Sequence, residues 1–256
     1  SDRNIFSVRT DLAYKIHDNH QLLFNYMSLG FTRKDRDDMK SELERSLIET
    51  RKLNKNILSF AYEMRAFDSK FKSNLFAKQY IQKIEKIKPT IRLENGQPIR
   101  DTQFASNKYD YTGYGAAFSY AIKPAVVLLA SAERAIRLPV EGEIFGEVGD
   151  NIVENNGLTP EISNNVNFGF KIGPYKVKQH KFSVGANGFF RDTKDKIVRR
   201  SNTRLNDAEE TAPFENLSKT LSKGFDLEFN YSFKKDLHVL LNMSKFNTVF
   251  NSKYTA

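Results

Sequence analysis

Residues 6–16 read Phe6-Ser7-Val8-Arg9-Thr10-Asp11-Leu12-Ala13-Tyr14-Lys15-Ile16, and the alternation in this stretch decides the fold class. Phe6, Val8, Leu12, Tyr14 and Ile16 share one parity, while Ser7, Arg9, Asp11, Ala13 and Lys15 share the other. Successive side chains of a β-strand point to opposite faces, so a period of two means one apolar wall and one mostly polar wall. The pattern recurs in Tyr114, Ala116, Phe118, Tyr120 and Ile122, then in Val166, Phe168, Phe170 and Ile172. It returns in Phe182, Val184, Ala186, Gly188 and Phe190, and in Phe225, Leu227, Phe229, Tyr231 and Phe233, where Asp226, Glu228 and Asn230 occupy the other face.

Working outward, the connections between these segments alternate in length. Short ones fall near residues 17–20, 66–70, 123–124, 174–179 and 234–236, and long polar ones near 33–54, 83–108, 137–161 and 192–216. An antiparallel meander that stays closed on one side of a membrane and reaches outward on the other has this rhythm. A soluble sandwich produces the same alternation along each strand, so periodicity alone leaves both open. Segment length argues for the membrane: the strands read as roughly ten to fourteen residues, against about five to six in globular proteins and about nine to eleven for tilted spanning strands.

Composition fits a barrel. The chain has 256 residues and no cysteine, which removes disulfides and thiolate metal sites. It holds no run of eighteen apolar residues, which excludes a membrane helix but is blind to barrels, whose apolar residues are interleaved. A mean hydropathy of -0.55 is therefore compatible with insertion. The net charge of +9 comes from 40 basic residues intermixed with 31 acidic ones rather than from a basic face, so a nucleic-acid partner is not expected. The four histidines, His17, His20, His180 and His238, all sit beside short turns, where a solvated role outweighs a metal or catalytic one.

Two long loops carry patterns of their own. Met39, Leu43 and Leu47 recur at four-residue spacing within residues 34–52, compatible with a short amphipathic rim helix or with a solvated charged loop. Asn95-Gly96, flanked by Ile91 and Ile99, is a turn signal that predicts a hairpin within 83–108.

A family resemblance enters between Ser131 and Gly169. Arg137-Leu138-Pro139 closes a strand, Glu143-Ile144-Phe145 follows in the loop, and Leu158-Thr159-Pro160-Glu161 opens the next strand. In this order the three elements resemble the barrel of TonB-dependent outer-membrane receptors. Weaker echoes are Phe189-Phe190-Arg191-Asp192 with Asp195-Lys196-Ile197-Val198, and Glu215-Asn216 with Ser222-Lys223-Gly224-Phe225-Asp226-Leu227. The resemblance covers roughly residues 111–233.

It implies an all-β, antiparallel up-and-down transmembrane barrel, of which residues 1–256 would supply about ten strands as part of a single domain. The parent barrel would have roughly 22 strands, wide enough to hold a plug; the plug domain, the TonB-contacting box and the final aromatic strand are expected outside this chain. The implied localisation is the bacterial outer membrane, and the implied partners are outer-membrane lipid, TonB acting through the plug of the parent protein, and an imported ligand of unknown identity. The implied activity is energised import, with no chemistry on the ligand and no cofactor. Arg137, Glu143 and Glu161 are then expected to anchor the loop at the rim through hydrogen bonds and ion pairs, with ligand contact as the alternative; Leu138, Pro139, Ile144, Phe145, Leu158 and Pro160 are the motif's other, structural residues. Arg199, Arg200 and Arg204 are candidate contacts for an anionic ligand, set against the reading of solvated loop charge, which is favoured. Two rivals remain at this stage: a self-contained ten-stranded barrel enzyme, which would need histidine and paired carboxylates at the long-loop rim, and a soluble β-sandwich binding module.

Overall fold

The computed structural model describes residues 2–35, 47–95, 97–147, 152–199 and 213–251. Ten strands run in chain order: β1 (Asp2–His17), β2 (His20–Asp35), β3 (Glu49–Ala66), β4 (Phe71–Glu94), β5 (Gln97–Lys123), β6 (Val126–Arg137), β7 (Glu161–Val177), β8 (His180–Arg199), β9 (Phe214–Phe233) and β10 (Leu237–Asn251). They form one antiparallel sheet in which every strand pairs with its sequence neighbours, from β1 to β10 in order. A single continuous sheet of this kind is an up-and-down wall, not a two-layer sandwich. Between β6 and β7 lies one short helix, α1 (Glu141–Phe145).

The strands are longer than the apolar alternation suggested. β4 has 24 residues and β5 has 27, and they pair continuously from Phe71↔Tyr120 to Glu94↔Gln97 around Asn95, so the hairpin signal in 83–108 is real but grows directly out of the wall. The reason is that apolar alternation marks only part of each strand, while backbone pairing continues beyond it. On the face that carries Leu75, Ala116 and Phe118, Ala77 and Tyr114 come next upward, then Gln79 opposite Thr112 and Ile81 opposite Asp110. Likewise β8 runs on to Arg199 and β9 begins at Phe214, which shortens the loop expected over 192–216. Met39 and Leu43 lie outside the described residues.

Register assigns the faces. One rung crosses the sheet through His20, Met64, Ser73, Phe118, Ala130, Phe168, Gly188, Phe225 and Lys245. Neighbouring rungs on the same face add Leu22, Tyr62, Leu75, Ala116 and Val166 on one side, and Leu128, Phe170, Ala186, Leu227 and Met243 on the other. This face is apolar and exposed, with Phe168 at 61% and Leu241 at 60%. The opposite face carries a polar lattice. Asn165 Nδ2 donates to Glu133 Oε1 at 2.9 Å, Asn167 Nδ2 to Ser131 Oγ at 3.0 Å, and Asn74 Nδ2 to Glu63 Oε1 at 3.0 Å. The apolar window in β8, from Phe182 to Phe190, spans about 23 Å at a typical barrel tilt, close to the height of a barrel's lipid-facing band.

The same rung that starts at His20, the first residue of β2, reaches β10 at Lys245, eight residues beyond Leu237. The rung therefore climbs relative to the short turns between β2 and β7 and stays level from there to β10, a net rise in the sense that strands tilted against a barrel axis require.

Facing makes a direct test possible. In the full-length protein refolded into lipid vesicles, Phe229→Arg is expected to cost about 2–4 kcal/mol of unfolding free energy, and Glu228→Arg on the inner face far less; equal costs would remove the assignment of faces.

Candidate functional site

The only part of the wall that folds across the polar face, among the described residues, is the connection from β6 to β7. Its entry follows from Pro139, which has no N–H to offer a neighbouring strand, so β6 stops at Arg137. Gln82 Nε2 on β4 then donates to the Pro139 carbonyl at 2.9 Å, where both groups are buried. Glu143 serves two functions: Oε2 accepts the Val140 N–H at 2.9 Å and fixes the first turn of α1, while Oε1 accepts from the Arg137 guanidinium. Arg137 also donates to Glu161 Oε1 at 3.0 Å, and the same oxygen accepts the Ile197 N–H at 2.9 Å. Burial disfavours the Arg137 guanidinium, but Glu143 and Glu161 outweigh it and raise its pKa.

α1 ends at Gly146, whose φ of 68° and ψ of 175° are closed to other residues; a Cβ there would lie 2.3 Å from the Ile152 carbonyl oxygen. The chain turns back through the Glu147↔Ile152 bridge, and the Asn155 N–H donates to the Ile144 carbonyl at 2.8 Å. Asn216 on β9 closes the segment from the other side: its Oδ1 accepts the Thr159 N–H and its Nδ2 donates to the Thr159 carbonyl, both at 2.9 Å. Leu158, Pro160, Leu138 and Pro139 are buried.

The tip of this fold-back forms the core. Ile144 and Phe145 are packed with Phe31 of β2, Leu53 of β3 and Ile84 of β4, and the Phe31 and Phe145 rings stack at 6.1 Å. Burying the two loop side chains contributes about 3–6 kcal/mol as an upper bound. One rung above this cluster the wall turns cationic, with Arg33, Arg51 and Lys86 in line across β2, β3 and β4. Arg33 donates to the Gly146 carbonyl at 2.9 Å, to the Phe145 carbonyl at 3.1 Å and to Asp35 at 2.9 Å. Arg51 meets Glu154 at 3.0 Å, Glu49 at 2.8 Å and also Asp35. Lys86 meets Glu49 at 3.2 Å and also Glu154. Burial pushes the Glu154 carboxyl up, but Lys86 and then Arg51 more than reverse this and hold it below its usual range.

This arrangement is a latch, not a reaction centre. It ties the β6–β7 connection to the inner wall of β2–β4 with apolar contacts below and charge pairs above. Among the described residues there is no group of three histidine, cysteine or acidic side chains placed to hold a metal. His20 and His180 instead stack on Tyr62 and Tyr231 beside the short turns, at the opposite end of the wall. Of the nine motif residues, Arg137, Glu143 and Glu161 are joined by ion pairs, Ile144 and Phe145 pack into the core cluster, and Leu138, Pro139, Leu158 and Pro160 are buried. Of the arginine candidates, Arg199 ends β8 opposite Phe214, and Arg200 and Arg204 lie outside the described residues. Sequence reading missed Arg33, Arg51, Lys86 and Gln82, because their role exists only once three strands are aligned in register; Asn216 did carry a signal, as part of Glu215-Asn216.

Comparison with known proteins is consistent with this geometry. Residues 89–255 match the family model described as TonB dependent receptor-like, beta-barrel. A comparison with curated proteins finds no match. Among solved structures, the chain is similar to the hemophore receptor HasR of Serratia marcescens (13% identity, TM-score 0.64), covering 96% of this chain and 41% of that one. It is similar to the copper transporter OprC (12%, 0.69), covering 98% and 39%, and to the FrpB iron transporter of Neisseria meningitidis (12%, 0.62), covering 99% and 37%. The chain thus spans about two fifths of the length of these proteins, and at such identities the likeness carries the fold.

Two expectations follow for the latch. Gly146→Val in the full-length protein should dislodge α1, read as fast hydrogen exchange over residues 138–160 with the wall unaffected; unchanged protection would show that the turn is not needed. Because the Glu154 carboxyl is held below its ordinary value of 4.5, its contribution is complete above that value and is lost as pH falls through the lowered one. Protection of the same segment should therefore decline below about pH 4.5, and Glu154→Gln should flatten the decline.

Proposed function

This chain belongs to the TonB dependent receptor-like β-barrel family, and from that premise we propose that it is part of the transmembrane wall of an outer-membrane receptor that imports a scarce ligand with energy delivered through TonB. The family is one of transport receptors, not enzymes. The observation that carries the reading is the inward-folded β6–β7 connection: its family motif residues fasten a loop across the polar face of a wall whose other face is apolar. Such a wall suits a lumen on one side and lipid on the other. Family members are outer-membrane proteins; placement of this chain there, with lipid against Phe168, Phe229 and their neighbours, is part of the proposal.

In this reading residues 1–256 all belong to one barrel domain, and ligand gating and TonB coupling are the work of a plug in the parent receptor. The chain's own residues supply the rim and the lumen wall. Arg137, Glu143 and Glu161 position the β6–β7 connection and need not touch the ligand. Arg199, with Arg200 and Arg204 beyond it, would meet an anionic ligand at the long-loop rim, since guanidinium groups recognise carboxylate and phosphate geometry well. Because relatives of the same fold are named as iron and copper transporters and a hemophore receptor, metal-bearing cargo is the first class to try.

The test is uptake by cells expressing the full-length receptor, supplied in turn with ferric chelates, heme and copper. Uptake of one of these should vanish in cells lacking TonB, and persistence at full rate would overturn the transport reading. Separately, removal of residues 200–212 should weaken ligand binding, and more so at low salt, where charge is less screened; unchanged binding would remove Arg200 and Arg204 from the ligand site while leaving transport intact.

A further inference from the structure

We propose that the outer face of β7–β10 is a binding site for a phosphate-bearing acyl lipid of the outer leaflet, its chain lying in a groove over Gly188 and its phosphate between Lys223 and Lys245. The proposal rests on the outer-membrane placement above.

The groove comes from a mismatch of side-chain size. In one rung Phe168 and Phe225 flank Gly188, and in the next Phe170 and Leu227 flank Ala186. Large residues on both sides of small ones leave an open trough of about 820 Å³. Its floor is unobstructed: a Cβ built on Gly188 would approach nothing closer than 3.8 Å. A trough of this shape, lined by aromatic and aliphatic side chains, suits a hydrocarbon chain.

The upper end of the groove is cationic on the same face. Lys223 pairs with Phe190 and Lys245 with Phe225, so both point to the lipid side, and both line the trough. Neither has a carboxylate partner among the described residues, whereas Lys219, further up the same face of β9, is neutralised by Asp192 at 3.1 Å. Height explains why these lysines are tolerated. Lys223 stands ten residues from Phe233 and Lys245 eight from Leu237, at the ends of β9 and β10 nearest the turn. A spanning strand needs about nine to eleven residues, so both ammonium groups reach the interface opposite the turns, the level of outer-leaflet headgroups. A phosphate there supplies the counter-charge that the protein withholds, and the attached chain supplies the occupant of the trough.

The probe is diphosphoryl lipid A against phosphatidylcholine, added to the delipidated full-length receptor in detergent and read by native mass spectrometry. One lipid A is expected to be retained under activation that strips phosphatidylcholine. Lys223→Glu with Lys245→Glu should cut that retention at least tenfold, and Gly188→Leu, which fills the trough without touching the lysines, should do the same. Lys171→Glu, on the inner face of the same wall, should leave it unchanged. Heat-modifiable gel migration checks that each variant is folded. Equal retention of the two lipids by the parent receptor, or undiminished lipid A on the folded lysine variant, would overturn the site. Membrane fractionation reads the underlying placement separately: a receptor absent from the outer membrane would sink that reading, whatever lipid it holds in detergent.

Discussion

Everything in this wall depends on the need of each backbone N–H and C=O for a partner where water is absent. In hydrocarbon an unpaired peptide group costs several kcal/mol, and only neighbouring strands can supply the missing bond. That requirement fixes antiparallel pairing from β1 to β10, and pairing in turn fixes which side chains share a face. Apolar side chains on one face and amides, carboxylates and hydroxyls on the other are then two readings of one ladder. It also leaves β1 and β10 as the two edges of the described sheet.

Within that frame the β6–β7 connection is a loop made to behave like core. Apolar burial of Ile144 and Phe145 gives it direction, but apolar contact alone would let it slide. The guanidinium of Arg33 holds the carbonyls of Phe145 and Gly146, and Arg51 and Lys86 share Glu154, so the loop is tied at several points to β2–β4. Buried pairs of this sort contribute little net stability, yet removing one partner is expensive because the other is stranded. They serve position more than energy, which is what a rim element beside a lumen needs.

Much of this was legible in the sequence, for a physical reason. Strand parity is local, so Phe6 to Ile16 or Phe225 to Phe233 announce their faces without any partner. The β6–β7 motif was legible because Pro139 and Gly146 impose backbone geometry that few sequences satisfy, and Glu143 caps within three residues. What could not be read was anything set by register across strands. Arg33, Arg51 and Lys86 are separated by 18 and 35 positions and resemble ordinary loop charge until Arg33↔Arg51 and Arg51↔Lys86 place them side by side. Strand ends were misjudged for a related reason: beyond the apolar stretches, polar residues such as Gln79 and Thr112 stay in the ladder without leaving an apolar trace.

The climb of the rungs against the turns has a mechanical side. Because side chains alternate with a period of two, a strand cannot slip past its neighbour by one residue without turning its apolar face into the lumen. The smallest slip that keeps the faces is two residues, about 6.6 Å, and it breaks every bond of that seam at once. Under a pull directed along the lumen the wall therefore has no soft mode of shear. It stays rigid up to a threshold, so a load applied inside it is spent on whatever moves within the pore and not on stretching the pore itself.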